Sequence, residues 1–151
     1  MLYRFLRALF WGFTRLICRY RVTGLERVPS NGPLLIVANH LSFYDPLLLG
    51  VVLPRRVWFF TKSEIFRWPI AGLACKLTGQ IPVRRGESDR IALEKALEYL
   101  REDKALMLFP EGTVERQETM IPARAGAAML ASRTGVTVLP IAHVGTRRVL
   151  R

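Results

Sequence analysis

Residues 34–38 read "LLIVA", apolar at every position. A strand-length run without polar alternation has no face to offer water, so it belongs inside a mostly parallel sheet covered on both sides by helices. The rest of the chain fits that scheme. "VWFF" (57–60), "IPV" (81–83), "ALMLF" (105–109) and "VTVLPIAHV" (136–144) read as further strands. Between them lie helical segments. "SEIFRWPIAGLACKLTG" (63–79) is broken at Pro69. "SDRIALEKALEYLRED" (88–103) is the clearest, with Ser88 as cap and apolar residues at 91, 93, 97 and 100. "PARAGAAMLASRTG" (122–135) is built on small residues and ends near Gly135. Alternating strands and helices predict an α/β fold, a mostly parallel twisted sheet flanked by helices. Residues 24–151 form that domain.

The chain has 151 residues and is 50% apolar, enough for one domain with a sizeable core. Twenty-three Lys and Arg against twelve Asp and Glu give a net charge of +11. The surface should therefore attract anions: nucleic acid, acidic lipid headgroups, or phosphorylated substrates and carriers. Cys18 and Cys75 match no metal-ligand spacing and make no disulfide framework. Both are expected to be reduced and buried, in the cytosol.

Residues 1–23 narrow the choice of anion. Arg4, Arg7, Arg15 and Arg19 fall within an arc of roughly 120° when plotted at about 100° per residue. Leu2, Phe5, Leu6, Leu9, Phe13, Leu16 and Ile17 populate the rest. Such an N-terminal amphipathic helix suits a membrane interface, while the competing reading packs it on its own domain. The lack of acidic partners before Glu26 favours the membrane. The uncharged run from Ala8 to Thr14 is far short of the ~20 apolar residues that cross a bilayer. Recurring charges at Arg15, Arg19 and Arg21 disfavour a secretory signal.

Directly after "LLIVA" comes "NHLSFYDP" (39–46). Asp45 before Pro46 is a good helix start, with an acceptor side chain at the N-cap and proline at the first helical position. Asn39 could cap in the same way. The competing reading pairs His40 with Asp45 as a base and its orienting carboxylate. On an α-helix positions i and i+5 lie roughly 140° apart, so the two can meet only if the chain turns between them. Position favours the chemical reading. In open parallel sheets ligands collect beyond the carboxyl ends of the strands, and "NHLSFYD", "RR" (84–85) and "PEGT" (110–113) all follow strands there.

Four blocks in this order resemble the glycerolipid acyltransferase family, typified by 1-acyl-sn-glycerol-3-phosphate (lysophosphatidate) acyltransferase. They are N-H-x4-D from Asn39 to Asp45, "GQIPVRR" ending at Arg85, F-P-E-G-T from Phe109 to Thr113, and "VLPIA" around Pro140. Val114 stands where the family often has arginine, with Arg116 two residues on. The resemblance implies His40 and Asp45 as catalytic residues. It makes Arg85, assisted by Arg84, the ligand of the acceptor phosphate, with Glu111, Gly112 and Thr113 as an acceptor-binding turn and Arg124 as a further basic position. His143 has no motif partner and reads as structural. The resemblance would also place further strand and helix beyond Arg151.

The chemistry accounts for these residue types. Moving an acyl group from a thioester to a hydroxyl requires a base for the alcohol's proton. A neutral imidazole, with an ordinary pKa of ~6.5, serves near neutral pH. An aspartate holds its tautomer and stabilises the imidazolium, and a guanidinium grips phosphate bidentately. Neither metal nor cofactor is expected, acyl-CoA or acyl carrier protein serving as acyl donor. The expected acceptor is lysophosphatidate or a related lysoglycerolipid. The expected location is the cytoplasmic face of the cell membrane, peripheral or monotopic, with anionic lipids as partners and no nucleic acid. The alternative is a non-catalytic module that holds anionic lipid at the membrane surface without turnover.

Overall fold

The computed structural model describes residues 2–84, 89–114 and 122–149. Five strands form one sheet: β1 (Leu34–Ala38), β2 (Val57–Lys62), β3 (Ile81–Val83), β4 (Ala105–Leu108) and β5 (Thr137–Ile141). Their spatial order is β3-β2-β4-β1-β5, and every pairing is parallel. All five carboxyl ends therefore lie along one edge. The two most apolar runs, β1 and β4, sit side by side in the middle, with Leu34 opposite Ala105 and Val37 opposite Leu108. Pro140 lies on edge strand β5, where its missing N–H leaves one side of the ladder unaffected.

Helices α1 (Leu2–Ile17), α2 (Asp45–Val52), α3 (Pro69–Leu77), α4 (Arg90–Arg101) and α5 (Gly126–Thr134) complete the fold. The period-2 alternation of the strands divides the core. Leu34, Ile36, Ala105, Met107, Val57 and Phe59 meet Leu49 and Leu53, at and just beyond α2, on one face. Leu35, Leu106, Leu108 and Ile81 meet Ala92, Ala96, Leu97 and Leu100 of α4 and Leu130 of α5 on the other. Burying each such Leu or Ile contributes roughly 1.5–3 kcal/mol.

Several local expectations are corrected. Ser88 lies outside the described residues, and the N-cap of α4 is Asp89, whose carboxylate accepts from Ala92 N at 3.0 Å. Ile91, expected on the apolar face, is 80% exposed, because the stripe that meets the sheet runs through Ala92, Ala96 and Tyr99 with Leu97 and Leu100. Pro69 does not break a helix but starts one: a 3-10 turn at Ser63–Arg67 precedes α3. Helix α5 begins at Gly126 rather than Pro122 and stops at Gly135, whose left-handed φ of 64° terminates it. The last strand is shorter than "VTVLPIAHV", so His143 lies beyond it.

Helix α1 is part packed and part bare. Thr14 is fully buried, and Arg7 turns inward onto the carboxyl end of α2, donating to Val51 O at 3.3 Å and Leu53 O at 2.7 Å. The four arginines therefore do not act as one solvent-facing stripe. Arg15 lies over the rings of Trp11 and Tyr20. Phe5, Leu9, Phe13 and Leu16 stay exposed, Leu16 at 85%. Among the described residues no helix is long and apolar enough to cross a membrane. Cys18 and Cys75 are free thiols, but half-buried rather than buried: Cys18 lies just past the end of α1, and α3, which carries Cys75, leaves Leu73 and Leu77 bare.

Candidate active site

Strand β1 delivers Asn39 and His40 to the carboxyl edge of the sheet. The chain then turns through Leu41–Tyr44, with Asp45 N donating to Ser42 O at 3.1 Å, before α2 begins. That turn closes the five-residue gap: His40 Nδ1 and Asp45 Oδ2 are 3.0 Å apart, and both side chains are buried. Asp45 is not the N-cap of α2; it lies inside the helix, and Tyr44 stands at the cap position without a side-chain bond. Its Oδ2 accepts from the preceding amides Leu41 N (2.6 Å) and Ser42 N (2.7 Å) as well as from the imidazole. Burial by itself would raise this carboxyl's pKa. The bonds from His40 and the Ser42 amide, with the Thr146 hydroxyl and His143 close by, together outweigh it and hold the pKa below the ordinary aspartate value.

An ionised carboxylate only accepts, so the proton between the two side chains sits on Nδ1 of His40. In the neutral ring Nε2 then carries the lone pair, and Nε2 makes no hydrogen bond among the described residues. The ring stacks on Phe109, centroids 4.1 Å apart and planes 17° off parallel. Position, tautomer and ring plane are thus fixed by three different elements: β1, α2 and the exit of β4.

His40 lines a cavity of about 620 Å³ between the sheet edge and helices α4 and α5. Its wall is mainly apolar, with Phe60, Val83, Leu93, Leu108 and Met129, and it carries Arg84 and Arg124. Gly112 also lines it, at a left-handed φ of 70°; a Cβ there would lie 2.7 Å from Arg124 Nε. Glycine therefore serves twice, making the turn and leaving room for a guanidinium. Arg124 is anchored to the same turn by its amide on Pro110 O at 2.8 Å.

Of the residues singled out in the sequence, the cavity brings together His40, Arg84, Gly112 and Arg124, with Asp45 behind the histidine. Thr113 is exposed and does not line the cavity. Arg85 lies outside the described residues, as does Arg116. Glu111 is buried and its carboxylate accepts from His40 N at 2.9 Å. Among the described residues no group of three His, Cys, Asp or Glu could hold a metal ion.

Sequence reasoning did not find the pairing of Asn39 with His143. Asn39 is no cap: its amide donates to His143 O at 2.9 Å, and its Oδ1 accepts from His143 N at 3.0 Å. The His143 ring lies 2.7 Å from Asn39 O through Nε2 and 3.7 Å from Asp45 Oδ2. The two residues are 104 positions apart, and the one available signal was that β5 ends beside β1 at the same edge.

Comparison with known proteins places the arrangement. A family model described as Acyltransferase matches residues 19–144. The chloroplastic 1-acyl-sn-glycerol-3-phosphate acyltransferase BAT2 of Brassica napus is 33% identical over 132 residues, covering 85% of this chain and 38% of that protein. Human 1-acyl-sn-glycerol-3-phosphate acyltransferase alpha is 36% identical over 126 residues, covering 82% and 44%. The lyso-ornithine lipid O-acyltransferase of Pseudomonas aeruginosa is 36% identical over 111 residues, covering 73% and 42%. The chain thus spans between 38% and 44% of the length of these relatives. The crystal structure of the 1-acyl-sn-glycerophosphate acyltransferase PlsC from Thermotoga maritima superposes with a TM-score of 0.84 at 27% identity, over 98% of this chain and 60% of that one.

Proposed function

This chain belongs to the acyltransferase family, and from that membership we propose that it moves a fatty acyl group from acyl-CoA or acyl carrier protein to the free hydroxyl of lysophosphatidate or a related lysoglycerolipid. The observation that carries the proposal is the buried 3.0 Å contact of His40 Nδ1 with Asp45 Oδ2 beside an apolar cavity that also holds two guanidinium groups. It leaves the Nε2 lone pair free to act as a base on a residue that lines space where an alcohol can sit.

The reaction needs one proton moved twice. Nε2 takes the acceptor hydroxyl's proton as that oxygen bonds to the thioester carbonyl carbon, and Asp45 stabilises the imidazolium. When the tetrahedral adduct collapses, the carbon–sulfur bond breaks and the departing thiolate recovers the proton from Nε2. No protein nucleophile is required. Burial pushes the Cys75 thiol up, away from a nucleophilic thiolate.

Arg84 and Arg124 hold the acceptor's phosphate, with Arg85 next to Arg84 in sequence, while Gly112 gives the backbone close access to it. The apolar wall takes hydrocarbon. Glu111, an acceptor-binding residue by resemblance, already spends one carboxylate oxygen on the His40 amide. The reaction proceeds without metal or cofactor. The bare Phe5, Leu9, Phe13 and Leu16 of α1 support insertion at the cytoplasmic face of the membrane, a peripheral or monotopic attachment, and the charge of +11 favours anionic lipid there.

The test is incubation of the full chain with lysophosphatidate, lipid vesicles and either radiolabelled acyl-CoA or acyl carrier protein, followed by thin-layer separation. Labelled phosphatidate is expected. Vesicle flotation without product, across a panel of acceptors and both donors, would instead identify a lipid-holding module.

A further inference from the structure

The peptide group between Asn39 and His40 is held at both ends by side chains from distant parts of the chain. Its N–H donates to Glu111 Oε2 at 2.9 Å, and its C=O faces His143 Nε2 at 2.7 Å. Glu111 comes from the exit of β4 and His143 from the exit of β5, the strands flanking β1 in the sheet. A carbonyl oxygen only accepts, so Nε2 of His143 carries a proton and donates it. Its Nδ1 lies 3.4 Å from the Thr146 hydroxyl. Asn39 fixes the histidine's own backbone through two further bonds of 2.9 and 3.0 Å.

We propose that His143 is a positioning residue which, with Glu111, clamps the Asn39–His40 peptide and so aims the His40 imidazole. The physical basis is the backbone dihedral set. The plane of that peptide fixes φ of His40, and with it the direction in which Cβ and the ring leave the chain. A peptide bonded on one end only can rock about its Cα–Cα axis, whereas one bonded at both ends cannot without breaking a buried hydrogen bond. The ring's other restraints act further out, on Nδ1 and on the ring face. Misplacing a catalytic base by about 1 Å can cost on the order of 100-fold in rate, so a clamp at the backbone has leverage out of proportion to its bonds.

The clamp dictates opposite tautomers for the chain's two histidines: Nδ1–H on His40, against Asp45, and Nε2–H on His143, against a carbonyl. That signature is readable without any turnover, which matters because the kinetic part of the test rests on His40 being the base of the proposed reaction. Histidine labelled with ¹⁵N in the full chain gives two imidazole spin systems, and His143→Gln, which keeps an amide donor near Nε2, assigns them by removing one. The expected wild-type spectrum has one ring of each tautomer. In His143→Leu the His40 ring should lose its single well-defined Nδ1–H form, and kcat should fall roughly ten- to hundredfold with the acceptor KM unchanged. His143→Gln should restore kcat to within about threefold.

A bare Nε2 on His143 in the wild-type protein overturns the clamp, and so does a His143→Leu variant with wild-type kcat. Should His143→Leu not fold, the wild-type tautomers and the kcat of His143→Gln still decide. Should no acyl transfer occur in any form, the clamp stands or falls on whether the His40 ring changes when His143 does.

Discussion

Asp45 Oδ2 accepts three hydrogen bonds, from His40 Nδ1 at 3.0 Å and from the amides of Leu41 and Ser42 at 2.6 and 2.7 Å. One oxygen therefore folds the loop and orients the His40 ring. The sequence offered two readings of this aspartate, helix cap or catalytic partner. The geometry excludes the cap, because Oδ2 reaches back to the amides before the helix instead of forward to those within it.

Asp45→Asn should therefore impair rate and stability together. An amide does not hold Nδ1–H in place as a carboxylate does, and kcat should drop by roughly 10²–10⁴-fold. The pH dependence has a definite sign. Asp45's carboxyl is depressed in the folded protein, so its stabilisation is full above the unfolded aspartate pKa of about 3.9 and is lost as pH falls through the lower folded value. Denaturant midpoints of wild type and variant should differ most at pH 6–7 and converge below about pH 4. A gap that widens on acidification would contradict this.

Gly112→Ala should weaken acceptor binding more than turnover. The left-handed φ of 70° costs a non-glycine residue roughly 1–2 kcal/mol, and the added Cβ would sit 2.7 Å from Arg124 Nε, displacing the guanidinium. A several-fold rise in the lysophosphatidate KM, with kcat within about threefold of wild type, is the expected outcome. An unchanged KM would remove Arg124 from the phosphate site.

The two faces of α1 should separate by mutation. Arg7→Ala removes bonds to Val51 O and Leu53 O at the end of α2 and should cost roughly 1.5–3 kcal/mol in denaturant unfolding. Phe5→Asp with Phe13→Asp alters only exposed side chains. It should leave stability within about 0.5 kcal/mol and abolish flotation with anionic vesicles. Full flotation of that double variant would shift membrane attachment away from α1.

What was legible in the sequence follows from the range of the forces involved. "LLIVA" announced a doubly covered strand because burial on both faces leaves a local record in residue type, and β1 and β4 do lie at the centre of the parallel sheet. His40, Asp45 and the Glu111–Gly112 turn were legible as motifs at strand exits. The roles of Asn39, Glu111 and Arg7 within the fold were not, since each depends on a partner 44 to 104 residues away. His143 was set aside for the same reason: a lone histidine past a strand carries no local mark of the peptide it will face. Ile91 misled because α4's apolar residues outnumber the places on its buried stripe.

Acyl transfer by purified His40→Gln, assayed against wild type with saturating acyl donor and lysophosphatidate in vesicles, bears on the central claim most directly. Glutamine can hydrogen-bond where the ring stood but cannot take up a proton, so kcat should fall by roughly 10²–10⁴-fold while the chain stays folded. A folded His40→Gln variant that turns over within about threefold of wild type would show that the imidazole is not the base.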